Sequence, residues 1–322
     1  MALPAERSVL MTAPLRRGLF WDAARRFRRN RIATLSLVIV AGMVLVAILA
    51  DLIAPYDTAE QFLKEFSGSG GNPLAQRDTG KFEAPSLQHI FGTDQLARDV
   101  FSRTIVGLRI SLSAAFFAIV VVTAIGVTLG ALAAMGPRWG DDILMRITDI
   151  AYSFPDLLLI ILLSAAFGSS IFGVEQLLGV EAEILLLFFA ISITAWPTTA
   201  RLVRGQLLTI RETEFAMAAE AIGASPLRRT FRHFLPNATT PVIVEATFLV
   251  PRAIIAEATL SFIGIGLSPP TPSLGLMIRD HFAFVSIEWI PLAIPTTVLA
   301  TLFLAFQFLG DGMRDALDPR AR

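Results

Sequence analysis

Long apolar runs alternate with short polar ones along the chain. Six runs come near or exceed the roughly 20 residues a helix needs to cross a bilayer: 32–55, 108–135, 144–168, 182–205, 238–266 and 286–310. Lipid offers no hydrogen bonds to the backbone, so such runs are expected as helices. The ten-residue alternation of a membrane barrel is not seen. The pattern predicts an all-α integral membrane protein with six transmembrane helices. Trp196-Pro197 and Phe154-Pro155 should perturb their helices, because proline removes a hydrogen bond and crowds the preceding turn. The least apolar part is 56–92, where "SGSGGNP" (67–73) reads as a flexible turn.

Arginine and lysine orient the spans. The N-terminal segment carries Arg7, Arg16, Arg17, Arg25, Arg26, Arg28, Arg29 and Arg31, so it stays inside. In 56–107, Lys64, Arg77, Lys81, Arg98 and Arg103 are outnumbered by acids, which places it outside. Arg138 and Arg146 mark an inside loop. Residues 169–183 bear Glu175, Glu181 and Glu183 without a cation, hence outside. Residues 201–233 carry six arginines and are inside; 267–285, with Arg279 against Asp280, is outside; the tail, with Arg314, Arg320 and Arg322, is inside. Both termini are therefore expected in the cytoplasm. The organisation reads as a basic amphipathic segment 1–31, a first transmembrane helix 32–55, an external segment 56–107, a core of 108–310 containing a cytoplasmic loop 212–237, and a tail 311–322.

Composition agrees: 54% of residues are hydrophobic and 17% charged, against about 25% charged in soluble domains. A formal net charge of +0 gives no field to attract nucleic acid. Cysteine is absent, which removes disulfides, thiolate metal sites and cysteine nucleophiles. The apolar run after the N-terminal arginines is too long for a cleavable signal. "LFWDAARRFRRN" (19–30) suits either a surface-lying amphipathic helix or a disordered basic tail.

One stretch stands apart from the apolar runs: "EFAMAAEAIGASPLRRTFRHFLP" (214–236). Thr213 is placed to cap a helix, along which Phe215, Ala218, Ala219 and Ile222 fall on one face. Gly223 suits the left-handed residue that ends a helix. Ser225 with Pro226 begins a second helix, with Leu227, Phe231 and Phe234 on one side and Arg228, Arg229, Arg232 and His233 on the other. Pro236 is expected to interrupt it before the fifth span. Such short helices are marginal alone. Either a partner's groove or the protein's own spans must support them.

This stretch resembles the cytoplasmic "EAA" loop of ABC-importer permeases: Glu-Ala-Ala, three residues, Gly, nine residues, an aliphatic, any residue, Leu-Pro. Ala218, Ala219, Gly223, Leu235 and Pro236 match. Met217 replaces the usual glutamate and His233 the usual isoleucine. "RFRRNRIATLSLVIV" (26–40), "FGTDQLARDVFSRTIVGLRISL" (91–112), "EATLSFIGIGLSPPTPSLGLMI" (257–278) and "LGDGMRDALDPR" (309–320) resemble, in order, the C-type subunits of the dipeptide/oligopeptide/nickel transporters. The resemblance implies the type I ABC-importer permease fold in a bacterial or archaeal inner membrane. It implies a second homologous permease, two cytoplasmic ATPases that bind ATP and Mg, and an external solute-binding protein. The cargo would be di- or oligopeptides or a related solute such as a nickel chelate. The ATPase-coupling surface would comprise Phe215, Met217, Ala218, Ala219, Glu220, Gly223, Ala224, Ser225, Leu235 and Pro236.

The chain itself shows no P-loop: its lysines are Lys64 and Lys81, and Gly80-Lys81 is followed by Phe82. No catalytic or metal-ligating constellation emerges, so no enzyme activity or cofactor is expected of this chain. His89, His233 and His281 are dispersed and read as structural or surface residues. Glu245, Arg252 and Glu257 fall within the fifth span, as a lining of a translocation path or as a structural ion network. Their spacing is not the ideal i,i+4, which points to partners on other helices. An ion-gradient-driven secondary transporter is the competing reading, though no internal repeat supports it.

Overall fold

The computed structural model describes residues 19–63, 80–167 and 182–318. Those residues form helices α1 (Leu19–Arg29), α2 (Arg31–Ile48), α3 (Ala50–Ile53), α4 (Val100–Met135), α5 (Arg138–Ser153) and α6 (Asp156–Phe167). There follow α7 (Ala182–Arg211), α8 (Glu214–Ala221), α9 (Pro226–Arg229), a π-helical turn (Thr230–Phe234), α10 (Leu235–Ile263), α11 (Leu274–Phe282) and α12 (Ile290–Leu317). No named strand occurs among the described residues. The turn signal at 67–73 and the acidic loop with Glu175 and Glu181 lie outside them.

Five helical stretches are long and apolar enough to cross a membrane: 31–48, 100–135, 184–211, 226–263 and 290–317. The sixth predicted span, 144–168, is not one helix. Pro155 lacks the N–H that would continue α5 and restricts the residue before it; Phe154 turns extended (φ −81°, ψ 135°) and the chain restarts as α6. Pro197, by contrast, leaves α7 uninterrupted. Membrane helices tolerate a proline where neighbours compensate.

Caps explain several boundaries. Asp99 accepts the N–H of Ser102 at 2.7 Å and starts α4 well before the apolar run begins. Asn30 accepts the N–H of Ala33 at 3.1 Å and separates α1 from α2. Thus 19–29 is a helix, not a disordered tail. The loop 267–285, expected to be external, contains α11, which the apolar pattern missed: Leu274, Leu276, Met277 and His281 are buried.

The core lies where α2, α4, α7, α10 and α12 meet, around Leu108, Leu112, Ile191, Ile254 and Leu302. Glycine sets the closest approach. A Cβ on Gly126 of α4 would sit 2.6 Å from Cβ of Thr199 on α7, and one on Gly130 would meet the Ala200 carbonyl at 2.5 Å. Small residues let membrane helices pack backbone to backbone where lipid provides no hydrophobic drive. Of its apolar window α7 buries 67%, while α2 and α12 each bury 22%; α7 is therefore central, and the outer helices turn Leu35, Val38, Leu45 and Leu304 outward.

Candidate coupling element and polar clusters

The 214–236 element is a helix, a bend and a second helix, differing in detail from expectation. Thr213 precedes α8 without capping it; its hydroxyl donates back to the Ile210 carbonyl at 2.6 Å. Gly223 takes φ +78°, and its N–H bonds to the Glu220 carbonyl at 2.9 Å, closing α8. Ser225 accepts the N–H of Arg228, with Pro226 in the first turn. Glu220 and Arg229 pair at 2.8 Å across the bend, tying the two helices together.

The expected apolar face of α8 divides. Ala219 turns inward with Ala216, which packs with Val203, Leu207 and Phe234. Phe215, Met217, Ala218 and Ile222 face outward, Ile222 with 86% of its surface free. Glu220, Gly223 and Ser225 are exposed, as is Pro236, while Ala224 and Leu235 are half-buried. The second helix also departs from its wheel: Phe234 is buried, but Leu227 and Phe231 are exposed at 72% and 66%.

A change of winding explains this. Residues 230–234 form a π turn, in which the Leu235 N–H reaches back to the Thr230 carbonyl. The wider turn sits just before Pro236, which cannot donate a hydrogen bond. Pro236 therefore does not interrupt the chain, and helix continues from Pro226 to Ile263. Leu227 and Phe231 border an apolar hollow of about 270 Å³ against Ala131 and Met135 at the end of α4.

Two ion pairs clasp α5 to α7 near the same end. Arg204 holds Asp141 through Nε and Nη2. Arg201 reaches Asp149 at 2.9 Å and lies over the Tyr152 ring at 4.4 Å.

Polar groups in the fifth span find partners. Arg252 pairs with Glu245 at 3.0 Å on the same helix, two turns away; the expectation of partners on other helices fails for this pair, because a long guanidinium side chain spans the gap. Glu257 fulfils it. With 0% of its surface exposed, it accepts the Ser111 hydroxyl of α4 at 2.6 Å and the Ser261 hydroxyl at 2.9 Å.

Sequence reading missed a charge cluster at the opposite end. Asp94 Oδ2 holds Arg98 Nε at 2.7 Å, with Arg103 Nε at 3.8 Å. Its Oδ1 accepts the backbone N–H groups of Leu96 and Arg98. His281 Nε2 approaches to 3.9 Å, beyond a hydrogen bond, and Asp280 lies 3.8 Å from Arg98. Arg103 Nη1 donates to the Thr58 carbonyl at 2.8 Å. Beside this cluster, His89 Nδ1 meets Asp99 at 2.9 Å. Asp94 thus anchors Arg98 and, from α4, Arg103; Arg103 holds the segment around residue 58, and α11 comes up against the cluster through Asp280 and His281. Among the described residues, no group of three or more His, Asp or Glu is placed to hold a metal ion.

Apolar helices around a small-residue core, with an apolar bend left exposed, define a multi-pass helical membrane protein. A model of the binding-protein-dependent transport system inner membrane component matches residues 126–322, and one of the N-terminal transmembrane domain of oligopeptide transport permease C matches residues 18–69. The chain is 39% identical over 303 residues to the glutathione transport system permease protein GsiD of Escherichia coli O6:K15:H31 (strain 536 / UPEC), covering 94% of this chain and 90% of that one. GsiD of Shigella boydii serotype 4 (strain Sb227) matches equally. Among solved structures, the inward-facing MetNI methionine ABC transporter (CY5 SeMet soak crystal form) superposes at a TM-score of 0.54 and 20% identity, covering 68% of this chain and 96% of that one; this supports the fold. The chain belongs to the binding-protein-dependent transport permease family, in its oligopeptide-type branch. It is a multi-pass inner-membrane permease of an ABC importer, a transport component and not the ATPase. That membership sets aside the ion-gradient reading.

Proposed function

We propose that this permease pairs with a second, homologous permease and passes di- or oligopeptides, or a related solute such as a nickel chelate, received from an external solute-binding protein. The oligopeptide-permease match over residues 18–69 and the glutathione in the relatives' names favour small peptides. Two cytoplasmic ATPases bind ATP and Mg, and this chain engages them through residues 214–236. The observation that carries the reading is the exposed bend. Phe215, Met217 and Ala218 on α8, Ile222 just after it, and Leu227 and Phe231 on the helix that runs on into a span present apolar surface. Helices with such a face commonly seat in a partner's groove. ATP changes the permease only if it changes the relative stability of its states, and the docked bend delivers that difference. Both termini and the bend lie in the cytoplasm, as the arginines require. α5 and α6 together complete a sixth crossing, broken at Pro155.

Gly223 provides the test. A β-branched residue there meets a left-handed backbone, disfavoured by roughly 1–2 kcal/mol. Gly223→Val should leave ATP hydrolysis by the co-purified ATPases near its basal rate and abolish uptake in proteoliposomes. Uptake at an undiminished rate with no ATPase bound would refute the proposal.

A further inference from the structure

At the end of the bundle where α1 lies, helices α1, α2, α10 and α12 enclose an open groove of about 400 Å³, within the roughly 300–1,000 Å³ usual for ligand sites. Its walls are apolar, with Ala24, Leu37, Ile243, Leu309 and Met313 among them, and Arg28 stands at its rim. The groove is held in shape. Phe27, Ala33 and Ala316 form a small buried cluster, and Arg26 donates to the Asp318 carbonyl at 2.8 Å.

The charge beside it is unbalanced on α1. Arg25, Arg28, Arg29 and Arg31 are exposed, and none forms an ion pair among the described residues. Arg25 and Arg28 lie one turn apart on the same face. The acids at this end, Asp22, Asp311, Asp315 and Asp318, are exposed, and among the described residues none of them pairs with Arg25, Arg28, Arg29 or Arg31. Trp21, 60% exposed, sits on the same helix, as aromatic residues do at a membrane boundary.

An apolar trough with an exposed arginine at its rim and a second one turn away has the two parts of a lipid site. Guanidinium binds phosphate with paired hydrogen bonds, and the apolar walls favour a hydrocarbon tail. We propose that this groove binds one anionic phospholipid. One acyl chain lies between α2, α10 and α12, and the headgroup phosphate rests on Arg28 with Arg25 a turn away. The lipid wedges α1 against the bundle and so fixes the N-terminal helix in place.

Native mass spectrometry on the full-length chain, released from detergent with the subunits that co-purify, reads this directly. Phosphatidylglycerol should be retained over phosphatidylcholine of the same chains by roughly fivefold, the effect of one basic group near a lipid surface. Arg28→Gln should bring the ratio close to one and leave phosphatidylcholine retention unchanged. Ala24→Trp, which fills the trough from an exposed position, should reduce both lipids. Equal retention of the two lipids by the unaltered protein would overturn the proposal, as would an undiminished preference in Arg28→Gln. Displacement of phosphatidylglycerol by soluble glycerol phosphate would show an anion patch instead of a lipid site. Loss of a co-purifying subunit from Arg28→Gln, with lipid retention unchanged, would show a protein contact.

Discussion

Asp94 keeps its charge with none of its surface open to solvent. Burial by itself would push the carboxyl up. The guanidinium and backbone N–H of Arg98 and the charge of Arg103, with His281 adjacent at 3.9 Å but not hydrogen-bonded, outweigh that and hold it down at about 2, against 3.8 ordinarily. The folded state therefore binds fewer protons than the unfolded one. Its stabilising effect, about 2 kcal/mol, is complete above pH 4 or so and disappears as pH falls through about 2. Melting curves of the solubilised protein should drop across that window more steeply than those of Asp94→Asn. At neutral pH Asp94→Asn strands Arg98 and Arg103, and should cost about 3–5 kcal/mol. The sequence hid this cluster. Asp94 and Arg98 stand four apart, yet in irregular chain, where that spacing carries no helical meaning. His281 arrives from α11, far along the sequence. His89 and His281 read as structural or surface residues, and both prove buried.

Among the elements, what lipid dictates was legible and what neighbours dictate was not. A run of about 20 apolar residues must be helical in a bilayer, so α2, α4, α7, α10 and α12 were expected. Their ends were less so. Asp99 extends α4 outward, and the π turn carries helix through Pro236. The nine residues of α11 are too short and mixed to stand out, because their burial comes from packing against α10 and α12. The left-handed Gly223 and the Ser225 cap follow from local chemistry alone and were foreseen. The inward turn of Ala219 was not, since an alanine fits either side of a wheel. With α5 parted from α6 at Pro155, its attachment to α7 rests on side chains. Asp141→Ala and Arg204→Ala should show a coupling near 1 kcal/mol in a double-mutant cycle, because their fork is partly shielded; Asp149→Ala and Arg201→Ala, more exposed, should be close to additive.

For the molecule as a whole, the distribution of arginines predicts a direction that helices alone do not fix. A reporter inserted at residue 70 should be active only outside the membrane and one at residue 225 only in the cytoplasm; the reverse pattern would invert every loop. Burial grades outward from α7 to α2 and α12, so the outward faces of α2 and α12 are left for lipid or a partner subunit to cover.

Chain from Pro226 to Ile263 winds as helix throughout, 38 residues long, or about 57 Å at 1.5 Å per residue. One end carries the exposed Leu227; near the other, Glu257 is bolted to α4 through Ser111. The π turn, wider than its neighbours, accommodates a proline that would otherwise have made a joint. A push on one end is therefore not spent in bending a loop. It would arrive across the full thickness of the membrane as tilt or slide of a single shaft, and what it must loosen there is the Ser111 hydroxyl hydrogen bond that joins Glu257 to α4.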